Sequence, residues 1–266
     1  MTGWSVERAH VRDAPEIARL LARVVPERFL DLTIWGSPLF YRYCEDSLRS
    51  QDAATPRFYV LRLHQSVGGA VSLRRIEDRI VIDTAYALPA LRASYLSLRL
   101  LYEASQREFE RRPADLVAWD VFSGRPRLEA WHRSLGGREE FRKGWWLRGP
   151  DAPEIASGST ASVMGLAAAE EQHARWGFSS FEVRTSAGAY RVGRLPGRSF
   201  RLTDAHAADD PALFAALQKV DAGSRVLLMG PVERPGPSWA EVTTLKRYQA
   251  PFATFSAALE QYFRSP

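Results

Sequence analysis

Three strand-like runs follow one another with almost no chain between them: RFYVLRLHQ from Arg57, VGGAVSLRRIED from Val67 and RIVIDTAYAL from Arg79. Links this short cannot carry a crossover, so the runs must pair as an antiparallel meander. Directly afterwards SYLSLRLLYEASQREFERR repeats apolar residues at helical spacing, with Leu98, Leu101, Tyr102, Ser105 and Phe109 on one face and charges opposite. LVAWDVFSG then returns to strand character. A sheet with a helix laid on it is the arrangement that buries both apolar faces, which predicts a mixed α/β fold with a mainly antiparallel central sheet.

The flanking text extends this pattern. WSVERAHV reads as an opening strand, and Asp13-Ala14-Pro15-Glu16 supplies a cap and a first-turn proline for a helix over residues 14–25. TIWGSPLFYRYCEDSLRS reads as a second helix entered through Ser37-Pro38, its aromatic stripe being either core or the wall of a substrate site. RPRLEAWHRSLGG is a short helix closed by glycine and EEFRKGWWLRG a last strand. The order is thus β-α-α-β-β-β-α-β-α-β.

Residues 149–162, GPDAPEIASGSTAS, lose all periodicity and read as a linker. They divide the chain into a domain over 1–150 and a second α/β domain over 163–266. In the second half VMGLAAAEEQHARWG, DPALFAALQKV and FATFSAALEQYF are helical and FSSFEVRT, AYRVGRL, SFRLTDA and SRVLLMG are strand-like. His132 to Gly136 and His173 to Gly177 share a His-x-x-apolar-Gly text, which fits a degenerate second copy of one fold.

Composition narrows the function. With 45% hydrophobic residues the 266-residue chain can bury a core. No run of eighteen apolar residues and no basic-then-apolar start appear, which predicts a cytoplasmic protein without a membrane partner. The single cysteine, Cys44, allows no internal disulfide and reads as packing. The net charge of +5 lies wholly in the first 150 residues, where 24 basic side chains face 19 acidic ones. Such a field attracts a phosphorylated co-substrate, an acidic carrier protein or a nucleic acid, the last being the weakest reading because no Lys/Arg run is present. His10, His64, His173 and His206 show no ligand spacing, so no metal is expected. Nucleophile elbow, Walker loop, zincin motif and dinucleotide fingerprint are all missing.

Two segments resemble the GNAT acyltransferase superfamily. In Ile80–Leu101, Pro89-Ala90-Leu91-Arg92 matches the lead-in to that family's pyrophosphate loop, and Leu98, Leu100 and Leu101 match its apolar helix face. The first loop glycine is replaced by Tyr95 and the last small position is Ser97. In the second segment, Arg125–Gly137, the helix, the spacing and Gly136 are kept, while His132 stands where the family carries a tyrosine.

The resemblance implies an N-acyltransferase that moves an acyl group from acyl-CoA or an acyl-carrier-protein thioester directly to an amine of a small molecule or peptide. Tyr86, Ala87 and Leu88 would align the pantetheine arm. Arg92, Ala93, Ser94, Tyr95, Leu96 and Ser97 would hold the phosphates at a helix start, where free N–H groups point outward. His132 would donate a proton to the departing thiolate, and Asp83, with Glu77 behind it, would take the amine proton. The second half would either cover the acceptor site or supply a homodimer surface. The alternative is a catalytically inactive GNAT-fold binding or scaffold protein.

Overall fold

A computed structural model describes residues 3–50, 52, 54–92, 95–124, 126–149 and 160–264. Its first eleven strands and α-helices contain the expected order of ten: β1 (Trp4–Arg8), α1 (Ala14–Leu21), α2 (Phe40–Arg49), β2 (Arg57–Leu63), β3 (Ser66–Ile76), β4 (Arg79–Ala87), a single-turn α3 (Pro89–Arg92), α4 (Leu96–Arg111), β5 (Leu116–Phe122), α5 (Pro126–Ser134) and β6 (Arg138–Arg148). The short α3 is the one addition. The remainder comprises β7 (Ser162–Met164), α6 (Leu166–Trp176), β8 (Ser179–Arg184), β9 (Ala189–Leu195), β10 (Ser199–Leu202), α7 (Pro211–Val220), β11 (Arg225–Gly230), β12 (Trp239–Pro251) and α8 (Phe252–Arg264). The fold is mixed α/β, as the periodicities require.

The chain forms two compact units, and neither is a continuous stretch. One consists of Met1–Glu27, Tyr41–Phe141 and Lys246–Pro266, the other of Arg28–Phe40 and Arg142–Leu245. This division by contact differs from a cut into 1–150 and 163–266, because the C-terminal residues pack with the first unit. Most of the linker expected over 149–162 lies outside the described residues.

In the first unit β1, β2, β3 and β4 pair antiparallel in that order, β4 and β5 pair parallel, and β12 lies beside β5. One face carries the main core, where Leu73, Ile80, Ile82, Val117, Trp119 and Tyr248 meet Leu100, Leu101 and Ala104 of α4 and Phe252, Phe255 and Leu259 of α8. Burying a side chain of this size contributes about 1.5–3 kcal/mol. α8 runs antiparallel to α4: Phe252 stacks on Phe109 with centroids 4.1 Å apart, and Tyr102 donates to Glu260 at 2.6 Å. Helix α1 packs on β3 and β4, and its buried Ile17, Leu20 and Leu21 stand outside that cluster, on the sheet's other face. Cys44 is fully buried, and burial pushes its thiol pKa up, away from the thiolate that nucleophilic chemistry needs.

The second unit repeats the plan. β7, β8, β9 and β10 pair antiparallel in order, β10 and β11 pair parallel, and β6 lies antiparallel to β11, Val226 opposite Arg148 through Gly230 opposite Gly144. The sixth strand is therefore exchanged. The strand that follows the first five in sequence completes the second unit, and the last strand of the chain completes the first. The His-x-x-apolar-Gly repeat does not mark this duplication. Gly136 (φ +79°) and Gly177 (φ +75°) end α5 and α6, helices at different places in the plan, and share only the left-handed turn that ends a helix.

Candidate active site

The site of the first unit begins where two parallel strands part. β4 and β5 are in register from Arg79 opposite Leu116 to Ile82 opposite Trp119, and the pairing stops there although both strands continue. Beyond it β4 pairs only with β3, through Thr84 opposite Ser72 to Ala87 opposite Gly69. Asp83 is the extra residue of a β-bulge at this point, since Ile82 faces Leu73 and Thr84 faces Ser72. A bulge bends its strand and increases the local twist, which turns β4 away from its parallel neighbour.

Strand alternation sorts the side chains into two sets. Because Leu73, Trp119 and Tyr248 enter the main core, Arg74, Asp120 and Arg247 occupy the opposite face together with Asp83. There Arg74 grips Asp83, Nε at 2.9 and 2.8 Å from the two carboxylate oxygens and Nη2 at 2.6 Å. Arg247 grips Asp120 in the same way, Nε and Nη2 each at 2.6 Å. The pairs also act on one another, Arg74 being within electrostatic range of Asp120 and Arg247 within range of Asp83. Burial raises the Asp83 pKa, with Arg74 pulling it down by hydrogen bond and charge and Asp120 adding to the rise. Tyr43 of α2, hydrogen-bonded to Ser47, feels both Arg74 and Asp83, and its own pKa is raised by burial.

On the core face His132 lies among rings: 5.8 Å from Trp119, 4.7 Å from Trp131 and 5.8 Å from Tyr248, centroid to centroid. Burial lowers its pKa to about 4 against a weak upward pull from Glu129, so the imidazole is neutral near pH 7. His132 Nδ1, Trp119 Nε1 and the Tyr248 hydroxyl are buried without a hydrogen-bond partner among the described residues. Three such atoms beside one strand end mark a polar spot inside an apolar core.

The expected phosphate loop is described in part. Ala93 and Ser94 lie outside the described residues. Arg92 turns back, its Nε donating to the Ala87 carbonyl at 3.0 Å and its guanidinium lying 4.8 Å from the Tyr86 ring centre. Leu88 donates to the Gly68 carbonyl at 2.9 Å. Tyr95 adopts φ +58°, ψ 5°, the left-handed conformation that glycine enters without cost, and Leu96 and Ser97 form the first turn of α4. Among the described residues no side chain caps that turn, and it holds no acidic residue. In the second unit, by contrast, Asp210 caps α7 by accepting from the Ala212 and Leu213 N–H groups at 3.0 and 3.2 Å.

The sequence points to Asp83 and His132 for one site, and the structure places them on opposite faces of the sheet near the parting of β4 and β5. Sequence reasoning missed Asp120, Arg247 and Tyr248. A charge inside the apolar run LVAWDVF was a usable signal for Asp120. The text VTTLKRYQA alternates weakly, and the strand that carries Arg247 and Tyr248 passed unread. Among the described residues no three His, Cys, Asp or Glu side chains stand together as a metal site, and no helix is long and apolar enough to cross a membrane.

No protein-family profile matches the chain, and no curated protein is similar to it in sequence. Solved structures are similar in fold. A tandem GNAT protein from the clavulanic acid biosynthesis pathway is 15% identical, with a TM-score of 0.61 over 93% of this chain and 98% of its own. A GCN5-related N-acetyltransferase from Sphaerobacter thermophilus is 13% identical at TM-score 0.61, over 94% and 96%. A putative acetyltransferase from Pyrococcus horikoshii is 12% identical at 0.60, over 94% and 90%. The repeated strand plan, the bulged fourth strand and these full-length likenesses agree that the chain has the tandem GNAT fold.

Proposed function

We propose that the first unit is an N-acyltransferase that takes its acyl group from a coenzyme A or carrier-protein thioester and passes it to an amine. The observation that carries this reading is the parting of β4 from β5 after Ile82 and Trp119, followed in the chain by the start of α4, where Tyr95 forms no side-chain cap. A parted strand offers unpaired backbone groups to an extended amide arm, and helix N–H groups suit phosphate oxygens. In the reaction the amine nitrogen attacks the thioester carbonyl, a C–N bond forms and the C–S bond breaks. Asp83 receives the amine proton, directly or through water. His132, neutral, relays a proton to the sulfur from one ring nitrogen while gaining one from solvent water at the other, and Asp83 returns the amine proton to solvent, so that amide and thiol are the net products. Arg92 and the first turn of α4 hold the phosphates. The second unit carries no donor in this scheme, because the Asp210 carboxylate already fills the start of α7.

A second reading, a binding or scaffold protein without transfer activity, is favoured by one feature. Tyr262 of α8 stands beside Tyr95 and its hydroxyl lies 3.5 Å from Ser134 Oγ, so side chains bridge the start of α4 and the end of α5. Calorimetric titration of the full chain with acetyl-CoA, longer acyl-CoAs and an acylated carrier protein separates the two. Saturable binding and transfer to an amine support the first reading; no binding by any donor leaves the second.

A further inference from the structure

We propose that the acceptor is a small zwitterion, an amino acid or close analogue whose carboxylate lies within a few bonds of the reacting amine, held by Arg74, Asp83, Asp120 and Arg247 together. This rests on the acyltransferase reading, since it names the substrate class of the same site. The four side chains come from β3, β4, β5 and β12 and meet on the face opposite the main core, at the point where the strands part.

Their charges decide what fits. Each guanidinium is matched by one carboxylate, so the group is neutral overall and has no net attraction for a simple cation or anion. A bare amine drawn to Asp83 or Asp120 also meets Arg74 and Arg247, and the favourable and unfavourable fields largely cancel. A ligand that bears both charges a few ångströms apart sets its ammonium against a carboxylate and its carboxylate against a guanidinium, so every field counts in its favour.

The hydrogen-bonding capacity is also unspent. Both arginines use Nε and Nη2 on their carboxylates, which leaves Nη1 of each as a donor. The Thr84 hydroxyl, next to Asp83 in the bulge, is buried with no partner among the described residues, and so is Gln249 Oε1 on the same face as Arg247. The first can donate to a carboxylate and the second can accept from an ammonium, so buried polar atoms that cost free energy alone are satisfied when the ligand arrives. Arg74 is the most exposed of the four, with 45% of its side chain accessible, and gives the ligand its way in. A peptide N-terminus lacks the nearby carboxylate and fits poorly.

The test uses the full chain and matched probes: a set of α-, β- and γ-amino acids, their carboxamides and their decarboxylated amines, titrated by calorimetry and by melting-temperature shift. Acetyl-CoA, longer acyl-CoAs and an acylated carrier protein are titrated separately in the same way. At least one amino acid should bind tenfold or more tightly than its carboxamide and its amine. Exchange of the pair, Arg74→Asp with Asp83→Arg, keeps the internal ion pair and should abolish that preference; Asp120→Asn serves if the exchanged chain fails to fold. Equal affinity for acid, amide and amine, or no binding by any amino acid, overturns the inference even if acetyl-CoA binds. Amino-acid binding without binding of acetyl-CoA, a longer acyl-CoA or an acylated carrier protein upholds the zwitterion site and removes the acyltransferase reading.

Discussion

Tyr262 in the C-terminal helix places its ring centre 6.1 Å from that of Tyr95, which sits in a left-handed backbone conformation at the start of α4. An aromatic contact of this kind is worth about 0.5–1.5 kcal/mol. The left-handed conformation costs a non-glycine residue about 1–2 kcal/mol. The two contributions nearly cancel, so Tyr95→Gly should change stability by no more than about 1 kcal/mol in denaturant unfolding. With coenzyme A as the donor carrier, the unaltered chain binds acetyl-CoA, and the glycine variant binds it with a similar dissociation constant. Binding that appears only in the glycine variant assigns Tyr95 to closure of the groove.

Arg92 gives a sharper probe of the donor site. Its guanidinium rests on Tyr86 and the Ala87 carbonyl at the end of β4, where the phosphates are proposed to lie. Arg92→Glu should weaken acyl-CoA binding by about 1–3 kcal/mol, the scale of a lost charge-assisted hydrogen bond. An unchanged dissociation constant, measured by calorimetry, removes the phosphates from this position.

His132 predicts an acid-dependent loss of stability. Its pKa is lowered to about 4 in the folded protein by burial, against about 6.5 in an unfolded chain. The stability linked to this group is therefore complete above about pH 6.5 and is lost as pH falls through 4, because the unfolded chain takes up the proton first. The difference amounts to about 3 kcal/mol. His132→Phe should flatten the stability curve between pH 7 and pH 4 in urea unfolding. Parallel curves for the two proteins contradict the burial argument.

Asp210 predicts a stability effect in the second unit. Besides capping α7, its carboxylate accepts from the Thr185 hydroxyl at 2.5 Å. Asp210→Ala should cost about 1–2 kcal/mol through loss of the cap. Thermal unfolding would register the change, and a variant as stable as the parent excludes the cap as a significant contribution.

The parts of the fold that sequence disclosed are those set by neighbouring residues. The meander over Arg57–Ala87 followed from short links and α1 from Pro15 in its first turn; Asp13 precedes that helix without capping it, its carboxylate accepting from the His10 N–H and from Arg62 instead. Tyr95 was visible because glycine was missing where the family pattern has it, and its backbone has taken the glycine conformation nonetheless. Arg247 and Asp120 stand 127 residues apart in sequence. Alternation says which face a side chain takes and nothing of which distant strand lies beside it, so neither their pairing nor the exchanged sixth strands had a local signal.

The exchanged strands also govern the timing of folding during synthesis. β12 and α8 are made after every other described element of the first unit, and the main core of that unit closes only around Tyr248, Phe252, Phe255 and Leu259. An unfinished chain cannot hide Trp119 and Phe109, however long it waits, because their partners have yet to be translated. The usual order, in which an N-terminal domain folds before the rest appears, is closed to this topology. A ribosome stalled at the codon for Leu245 would hold a nascent chain whose first unit lacks part of its interior.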